Sequence, residues 1–369
     1  MANTLKFGAG NWATKEGSTL AYNDENGNFK PLPFDFTRAS SATVVNKAGL
    51  IETVENGIPR IDFSNDANGA LLLEPTRSNL TTYSEAFDNA YWTKSNTTVT
   101  SGFVSPDGTN NAFKLTSNNG GNIISRPSLT LNTTHTTSIY LKRVSGTGNV
   151  SIFKPNGNET VVTLTSEWQR FTDVNSVNPS NAYTGVRLYG LSDEVLIYGA
   201  QVEQGSYATS YIPTQGSAVT RVADTCNNGG NDQVINSTEG VLYLEGSFNE
   251  LFRLGISENA SSSNRVLIGQ SSSSLSYIVT SASSPVVNNS VSGYQFNQNL
   301  KLAAKYKQND FALWVNGIEV ITVSSGNTPT ALNSLDLKGQ GLNAYGNIKD
   351  LRVYNTALTD AELQSLTTI

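Results

Sequence analysis

The feature that most constrains the fold of this chain is an alternation of apolar and polar residues, which turn-forming residues interrupt at short intervals. The clearest example is FALWV at 311–315, which is followed by Asn316-Gly317 and by a second alternating segment at 318–323. Asn-Gly accepts the positive φ angles of a type I′ turn, whose twist matches that of two flanking strands. Similar segments recur about every 8–12 residues, a spacing typical of β-sandwiches. The sequence therefore predicts an all-β chain with a hairpin at 311–323.

A second hairpin is predicted near the beginning of the chain. Residues 50–54 and 58–63 have strand character, and Asn56-Gly57 between them is a turn signal. Pro59 cannot donate a hydrogen bond to a neighbouring strand, so the return strand is expected at a sheet edge.

One short helix is predicted at the other end of the chain. Thr359, followed three residues later by Glu362, has the pattern of a capping box, and Leu358 and Leu363 are spaced for a hydrophobic staple. A helix over 359–366 has about two turns and must dock on a sheet to be stable.

The composition restricts the chemistry available to the chain. Charged residues make up 15% of the 369 residues, against about 25% in ordinary soluble proteins. A single cysteine, Cys226, excludes an intrachain disulfide and a cysteine-based zinc or iron–sulfur site. A single histidine, His135, excludes multi-histidine metal centres, and its polar surroundings predict an exposed loop that leads into a strand.

The distribution of charge and hydrophobicity excludes several partners. The formal net charge is −6, and no Lys/Arg cluster offers a surface for phosphates, so nucleic acid is not an expected partner. No segment approaches the roughly 20 apolar residues of a membrane helix, so no membrane insertion is expected. The first twenty residues lack the apolar core of a signal peptide, which predicts synthesis in the cytoplasm without one.

Several long segments resemble known bacteriophage proteins. FDFTRASSATVVNKAGLIETV (34–54), IPRID (58–62) and LLLEPTRSNL (71–80) together resemble an N-terminal module of phage virion and tail-fibre proteins. FDNAYW (87–92) and GAQVEQG (199–205) resemble the jelly-roll carbohydrate-binding-like domain that follows this module in those proteins.

The last third of the chain is similar to the laminin-G/concanavalin A-like sandwich, through WVNG (314–317) and IKDLRVYNTALTDAEL (348–363). The least periodic part of the chain, rich in turn formers, lies just before it and is expected to be a linker. The expected organisation is an attachment or assembly module at 1–80, a jelly-roll domain at 81–214, a linker at 215–235 and a laminin-G/concanavalin A-like domain at 236–369.

These resemblances imply a bacteriophage virion structural protein, such as a tail fibre, head fibre or capsid decoration protein. It would be made in the host bacterium and displayed on the virion surface, where lectin-like domains attach to host surface glycans. The implied partners are other virion proteins, bacterial surface polysaccharide and further copies of the chain, for example in a homotrimer. A purely architectural role, with binding only to other virion proteins, is the first alternative.

Aromatic residues are the candidate sugar-binding residues, because ring faces stack on the C–H surfaces of sugars. Tyr183 and Tyr189 bracket the predicted strand segment 186–188 and are the better candidates for an exposed platform. Trp92 is a further candidate, although a large ring inside such a motif also suits the core.

A structural Ca²⁺ ion is implied by the jelly-roll resemblance, since such domains often carry one. Asp88, Asp107 and Glu203 are the candidate oxygen donors, because Ca²⁺ prefers carboxylate and carbonyl oxygens. Their spacing does not match that of an EF-hand loop, and no other cofactor is expected.

A polysaccharide-degrading glycoside hydrolase is the second alternative, since this chemistry needs only two carboxylates. Glu239 and Glu245 flank the segment 242–244, but such spacing is also typical of solvent-facing residues. Residues 236–369 lack the Glu-x-Asp-x-x-Glu strand of concanavalin-like hydrolases, and the Ser-x-Asp-x-Gly-x-Thr-Trp box of sialidases is absent. The sequence therefore predicts a chain without enzymatic activity.

Charged residues in the first 80 residues allow two interpretations. They could form arginine–carboxylate pairs that fix the fold or its docking on a partner, or they could be solvated surface charges that contribute little. The residues concerned are Arg38, Arg60, Arg77, Asp35, Asp62 and Glu74.

Overall fold

The computed structural model describes residues 5–15, 19–23, 29–130, 132–176 and 183–369. Up to residue 227 the strands are β1 (Leu5–Gly8), β2 (Ala13–Lys15), β3 (Thr19–Asn23), β4 (Phe29–Thr37), β5 (Ala42–Val45), β6 (Ile51–Val54), β7 (Arg60–Asp62), β8 (Ala70–Leu73), β9 (Arg77–Asn79), β10 (Thr93–Phe103), β11 (Ala112–Ser125), β12 (Thr134–Ser145), β13 (Val150–Phe153), β14 (Glu159–Val162), β15 (Gln169–Ser176), β16 (Thr184–Leu188), β17 (Glu194–Gln204), β18 (Val219–Arg221) and β19 (Thr225–Asn227).

The remaining elements complete an all-β chain with one short helix, which confirms the predicted fold class. They are β20 (Glu239–Phe248), β21 (Phe252–Ser257), β22 (Arg265–Gln270), β23 (Ser274–Ser281), β24 (Ser284–Ser292), β25 (Leu300–Lys307), β26 (Asp310–Val315), β27 (Ile318–Val323), β28 (Ser334–Asp336), β29 (Lys338–Gly339), β30 (Leu342–Asn343), β31 (Gly346–Tyr354) and α1 (Asp360–Thr367).

The chain divides into two compact units whose bounds differ from the expected domain boundaries. Unit 1 comprises Met1–Ser41, Val54–Pro75 and Ala223–Ile369, and unit 2 comprises Ala42–Thr53 and Thr76–Val222. Much of the segment 1–80, expected to form a module of its own, therefore belongs to the same unit as the end of the chain. The physical reason is strand pairing, because β1 and β8 both pair with β31.

Unit 1 is a β-sandwich. In its described residues a 12-stranded sheet runs in the order β19-β4-β3-β1-β31-β20-β25-β26-β27, with β2 beside β3 and with β8 and β7 branching from β31. A five-stranded sheet, β24-β23-β22-β21-β28, contributes to the same core. Leu244 and Leu351 of the large sheet and Leu254 and Val266 of the small one are buried in one apolar cluster. Alternate residues of β20 and β31 consequently face away from this core.

The hairpin predicted at 311–323 is confirmed, whereas the early one is wrong. β26 pairs with β27 around Asn316 and Gly317, whose φ angles are 49° and 83°. Residues 50–54 and 58–63 do not pair with each other. Instead β6 pairs with β5 and β7 pairs with β8, because the chain passes from unit 2 to unit 1 at the turn between them.

The C-terminal helix has the predicted capping box. The Thr359 hydroxyl accepts from the Glu362 amide at 3.4 Å, and the Glu362 carboxylate accepts from the Thr359 amide at 2.8 Å. Leu358 and Leu363 pack with Trp314 in a small apolar cluster, which covers part of the outer face of the large sheet. No helix among the described residues has the length and apolar character needed to cross a membrane.

Three of the early charges, Arg38, Arg60 and Glu74, belong to a buried charge network within unit 1. Arg60 Nη1 lies 2.7 Å from Glu74 Oε2, and Arg60 Nη2 lies 2.6 Å from Asp224 Oδ2. Arg38 Nη1 lies 3.1 Å from the other Asp224 oxygen. Burial opposes the charge on Arg60, but the attraction of Glu74 and Asp224 outweighs it and raises the pKa of Arg60. Arg38 and Arg60 are thus structural charges and not solvated ones.

Unit 2 contains an eight-stranded sheet in the order β14-β13-β16-β11-β17-β12-β15, with β10 beside β11. The long strand β11 pairs with β17 through residues 113–116 and with β16 through residues 121–125, and so connects two halves of the sheet. At the start of the segment of β11 that pairs with β16, a Cβ atom on Gly121 would lie 2.3 Å from the Asn96 carbonyl oxygen, so only glycine fits. Leu115, Ile139, Ile152 and Val186 are buried in the core that the curved sheet encloses.

Candidate functional site

The two tyrosines predicted as platforms lie at the two ends of β16. Val186 and Leu188 are fully buried in the core of unit 2, so the alternation of the strand turns Arg187 outward together with Tyr183 and Tyr189 beyond its ends. At about 3.3 Å per residue, Tyr183 and Tyr189 are separated by about 20 Å along the strand. Tyr189 is 48% exposed, and Tyr183 is half-buried.

A salt bridge fixes the Tyr189 end of this row. Arg187 Nη1 lies 2.7 Å from Glu159 Oε1, and the Tyr189 hydroxyl donates to Glu159 Oε2 at 2.7 Å. The Arg187 guanidinium also lies 5.8 Å from the centre of the Tyr189 ring and 5.5 Å from that of Phe153. Glu159 therefore holds both the ring and the guanidinium in place.

The Tyr183 end is held by a second arginine. Arg126 Nη2 donates to the Tyr183 hydroxyl at 2.7 Å, and the guanidinium carbon lies 4.4 Å from the centre of the ring. The Phe153 ring lies 6.3 Å from the Tyr183 ring in an edge-on arrangement. We call the outward surface formed by Tyr183, Arg126, Arg187, Glu159 and Tyr189, together with the buried Phe153 ring packed against it, the β16 face.

The β16 face combines apolar rings with fixed hydrogen-bonding groups. Tyrosine rings offer large apolar surfaces with a polar edge, while the guanidinium groups donate hydrogen bonds and the Glu159 carboxylate accepts them. Two arginines against one glutamate leave the face with a net positive charge. Such a surface can stack on the C–H side of a sugar, bind its hydroxyls and tolerate a carboxylate on it.

Sequence reasoning missed Arg126, Phe153 and Glu159 as members of this face. Arg126 directly follows β11, Phe153 ends β13 and Glu159 begins β14. β16 pairs with β11 through Ser125 and Thr184 and with β13 through Ser151 and Arg187, while Glu159 pairs with Phe153. Arg187 is different, because its position between two apolar residues of a predicted strand already indicates an outward side chain.

Trp92 lies in the core of unit 2. It is 1% exposed, its ring centre is 4.9 Å from that of Phe87, and its indole N–H donates to the Tyr83 carbonyl at 2.9 Å. Because its ring faces are covered by protein, this structure assigns Trp92 to packing and not to a ligand platform.

The three candidate calcium ligands lie in separate environments. Asp88 is exposed, whereas Glu203 is fully buried and accepts from the Thr209 amide at 2.8 Å and the Gln201 amide at 2.7 Å. Burial would raise the pKa of Asp107, but hydrogen bonds from Ser105, Thr109 and Asn111 hold it below its ordinary value. Among the described residues, no group of three or more His, Cys, Asp and Glu is arranged to hold a metal ion.

His135 is not in an exposed loop. It lies in β12, which is flanked by β15 and β17, and it is fully buried. Its Nδ1 atom lies 3.1 Å from the Thr133 carbonyl oxygen, while its Nε2 atom has no protein partner. The expectation is wrong because a polar sequence can still form a central strand. Burial, opposed by the hydrogen bond to Thr133, lowers the pKa of His135.

This burial predicts a pH dependence of stability. Below a pH of about 6.5 the unfolded chain binds a proton at His135, whereas the folded chain keeps this side chain neutral until a lower pH. The free energy of unfolding should therefore decrease as the pH falls. The decrease should end below the lowered pKa of the folded state. Denaturant unfolding at pH 7.5, 6.5 and 5.5 measures this decrease in the free energy of unfolding. His135→Gln should remove the part of the pH dependence that comes from this side chain. An equal pH dependence of the free energy of unfolding in the variant would show that other groups cause the decrease.

Unit 1 holds a cluster of paired carboxylates on the outer face of its large sheet. Glu245 of β20 pairs directly with Asp350 of β31, and the Tyr243 hydroxyl donates to Glu245 Oε2 at 3.4 Å. Arg352 Nε lies 3.0 and 2.9 Å from the two Asp350 oxygens. Burial raises the pKa of Asp350 despite Arg352, and the charge of Glu245 adds to the rise. Glu239, at the other end of β20, pairs with Lys307 and lies outside this cluster.

Comparison of the sequence with protein-family models finds no match, and comparison with curated proteins finds none either. Among solved structures, the chain is similar to the carbohydrate-binding module CBM40 of the Ruminococcus gnavus IT-sialidase bound to α2,3 sialyllactose, with 16% identity and a TM-score of 0.32 over 39% of this chain and 94% of that one. It is also similar to domain 4 of AbnA, a GH43 extracellular arabinanase from Geobacillus stearothermophilus in complex with arabinotriose, with 12% identity and a TM-score of 0.31 over 44% of this chain and 84% of that one.

A third similarity is to the Trypanosoma rangeli sialidase, with 9% identity and a TM-score of 0.31 over 94% of this chain and 65% of that one. This finding contradicts the expectation of a chain without enzymatic activity, and that expectation is corrected here. That expectation depended on the absence of two short motifs, and many hydrolases have neither.

Proposed function

We propose that this chain binds glycans through the β16 face of unit 2. The observation that carries the proposal is the exposed row from Tyr183 to Tyr189, in which Arg126, Arg187 and Glu159 are already held by hydrogen bonds and a salt bridge. Preorganised side chains lose little conformational entropy when a ligand binds. The length of the row, about 20 Å, suits several consecutive sugar units and not a single one.

We further propose that the glycan is a bacterial surface polysaccharide and that the chain is displayed on a phage virion, as a tail fibre, head fibre or decoration protein. The resemblance of 34–54, 58–62 and 71–80 to a phage virion module supports this role. Several copies, in a homo-oligomer or across one particle, would raise the avidity of a shallow site without new contacts. Other virion proteins would be the remaining partners.

An array of bacterial polysaccharides, probed with the purified intact chain, tests glycan binding. We expect binding to a subset of acidic or neutral polysaccharides, with loss of the signal for a variant in which Tyr189 is replaced by alanine. Binding to no polysaccharide on the array would contradict the proposal and favour the architectural role. Immunogold labelling of virions with an antibody against the chain tests its location separately.

A second candidate function is hydrolysis of a glycosidic bond in unit 1, which the Glu245–Asp350 pair favours. Directly opposed residues of antiparallel strands have Cβ atoms about 4.5–5.5 Å apart, a separation compatible with the two carboxyl groups of a retaining hydrolase. Glu245, whose side chain is 20% exposed, and Asp350, which Arg352 binds through both carboxylate oxygens, would share the roles of general acid and nucleophile.

Hydrolysis predicts that Asp350→Asn and Glu245→Gln each lower the release of reducing ends from a polysaccharide by about 100-fold or more. Glu239→Gln is the matched control, because this residue lies on the same strand outside the cluster and should leave the rate unchanged. The melting temperature of each variant separates loss of activity from loss of fold. Activity that survives both substitutions in the cluster would exclude this site.

A further inference from the structure

A small polar cavity opens on the outer face of the large sheet of unit 1, beside the Glu245–Asp350 pair, which Asn299 of its wall contacts through Glu245. Its volume is about 220 Å³. Ser247 of β20 pairs with Asn347 of β31, and Asp62 of β7 pairs with Ala70 of β8, so four strands supply one wall of the cavity. The β7–β8 turn and the connection before β25 supply the rest.

A β-bulge turns Lys349 into this cavity. The pairing of β20 with β31 steps from Glu245–Asp350 to Gly246–Ile348, which leaves Lys349 as the extra residue. Its carbonyl accepts from the Ala9 amide at 2.8 Å, and its Nζ atom lies 3.1 Å from Asp66 Oδ2. Bulges often aim a side chain towards a functional site.

Two amide oxygens in the cavity wall accept no hydrogen bond from the described residues. These are Asn299 Oδ1 and Asn347 Oδ1, and both atoms are buried. Asn299 Nδ2 donates to Glu245 Oε1 at 3.4 Å, which orients that amide group. A buried acceptor without a partner costs about 1–3 kcal/mol, so these two oxygens favour a ligand that brings hydrogen-bond donors into the cavity.

The remaining wall groups decide the class of ligand. Asp62 and Asp66 accept hydrogen bonds, whereas Lys349, Ser247 and the exposed Asn297 can donate them. Sugar hydroxyls do both, which suits this mixture. A divalent cation would need acceptors alone and would meet the Lys349 ammonium group, which already pairs with Asp66.

Charge and size restrict the ligand further. Two aspartates against one lysine leave a net negative charge, which disfavours sugars that carry a carboxylate. None of the described residues that line the cavity is aromatic, so the site would work through hydrogen bonds and not by stacking. Its volume lies below the roughly 300–1,000 Å³ of sites for drug-sized ligands.

We propose that this cavity binds one neutral sugar unit, either a free monosaccharide or the terminal residue of a neutral glycan. The proposal does not depend on the β16 face, which lies in the other unit.

Isothermal titration of the intact chain with glucose, galactose, mannose and glucuronate, and separately with CaCl₂, tests this proposal. We expect saturable binding of at least one neutral sugar at millimolar concentration and weaker binding of glucuronate. Asn347→Leu removes one of the unpartnered oxygens and fills the cavity, so it should weaken binding by about 10-fold or more. Asn288→Leu, at an exposed asparagine of β24, is the matched control.

Two further variants extend this test. If Asn347→Leu does not fold, Asn297→Leu replaces it, because Asn297 is exposed and its substitution should be tolerated. A variant lacking Tyr183 and Tyr189 should keep the affinity for the neutral sugar, which separates this site from the β16 face. Absence of binding, a preference for glucuronate, or Ca²⁺ binding that Asn347→Leu abolishes would overturn the proposal.

Discussion

Replacement of Asp224 by asparagine is expected to lower the free energy of unfolding of unit 1 by about 3–5 kcal/mol. The Asp224 carboxylate accepts from Arg38 at 3.1 Å, from Arg60 at 2.6 Å and from the Glu74 amide at 2.8 Å. All of its side chain is buried. An amide of the same shape cannot balance the charge of two buried guanidinium groups, which makes this one of the most damaging single substitutions available. Urea unfolding followed by tryptophan fluorescence measures the change.

The matched control for this prediction is Glu239→Gln, which breaks an ion pair at the surface. Glu239 and Lys307 are 29% and 51% exposed in their side chains, so the loss should stay within about 1 kcal/mol. A loss of less than about 1 kcal/mol for Asp224→Asn would mean that water or a rearranged Arg38 compensates for the missing charge. The network would then be dispensable for the fold of unit 1.

The double substitution Tyr183→Ala, Tyr189→Ala is expected to weaken glycan binding by about 10- to 100-fold. A loss of about 0.7–1.4 kcal/mol per ring gives this range, because 1.4 kcal/mol corresponds to a factor of ten in affinity. Titration of the intact chain with an oligosaccharide selected on the polysaccharide array measures the effect.

Tyr207→Ala is the matched control for the double variant. Tyr207 is a half-buried tyrosine of the same unit that lies 5.3 Å from the Arg77 guanidinium, and it is not part of the β16 face. Its substitution should leave the affinity unchanged. Equal affinity in the double variant and the native chain would place the glycan elsewhere, and a large loss in both variants would indicate a general loss of structure.

Local patterns in this sequence were sufficient to predict local structure. Asn316-Gly317 specifies its own turn, and Thr359 with Glu362 specifies the start of α1, because both depend on interactions within a few residues. The exposure of Tyr189 also follows from alternation along a single strand. The all-β class could be predicted for the same reason, since many such signals recur along the chain.

Long-range pairing could not be predicted from such patterns. The early hairpin had a sound turn signal at Asn56-Gly57, yet β6 and β7 pair with different partners. His135 had polar neighbours, yet its strand is central in a sheet. Asp224 joins Arg38 and Arg60 from a position more than 160 residues away along the chain, and nothing in the local sequence reveals that contact.

The same limit applies to the candidate sites. Tyr183 and Tyr189 could be named because they flank one strand, whereas Glu159 and Arg126 reach them from neighbouring strands. In unit 1, Glu245 was visible in the sequence, but its pairing with Asp350 depends on the register of β20 and β31. A site made of several strands becomes visible only when the register is known.

A crystal structure of the chain with an oligosaccharide selected on the polysaccharide array is the most direct test of the central claim. We expect the sugar along β16, with at least one ring within about 4 Å of the Tyr183 or Tyr189 side chain and hydroxyls bonded to Arg187 or Glu159. Density for the sugar on another surface of unit 2, with the β16 face empty, would contradict the claim, as would density in the unit 1 cavity alone.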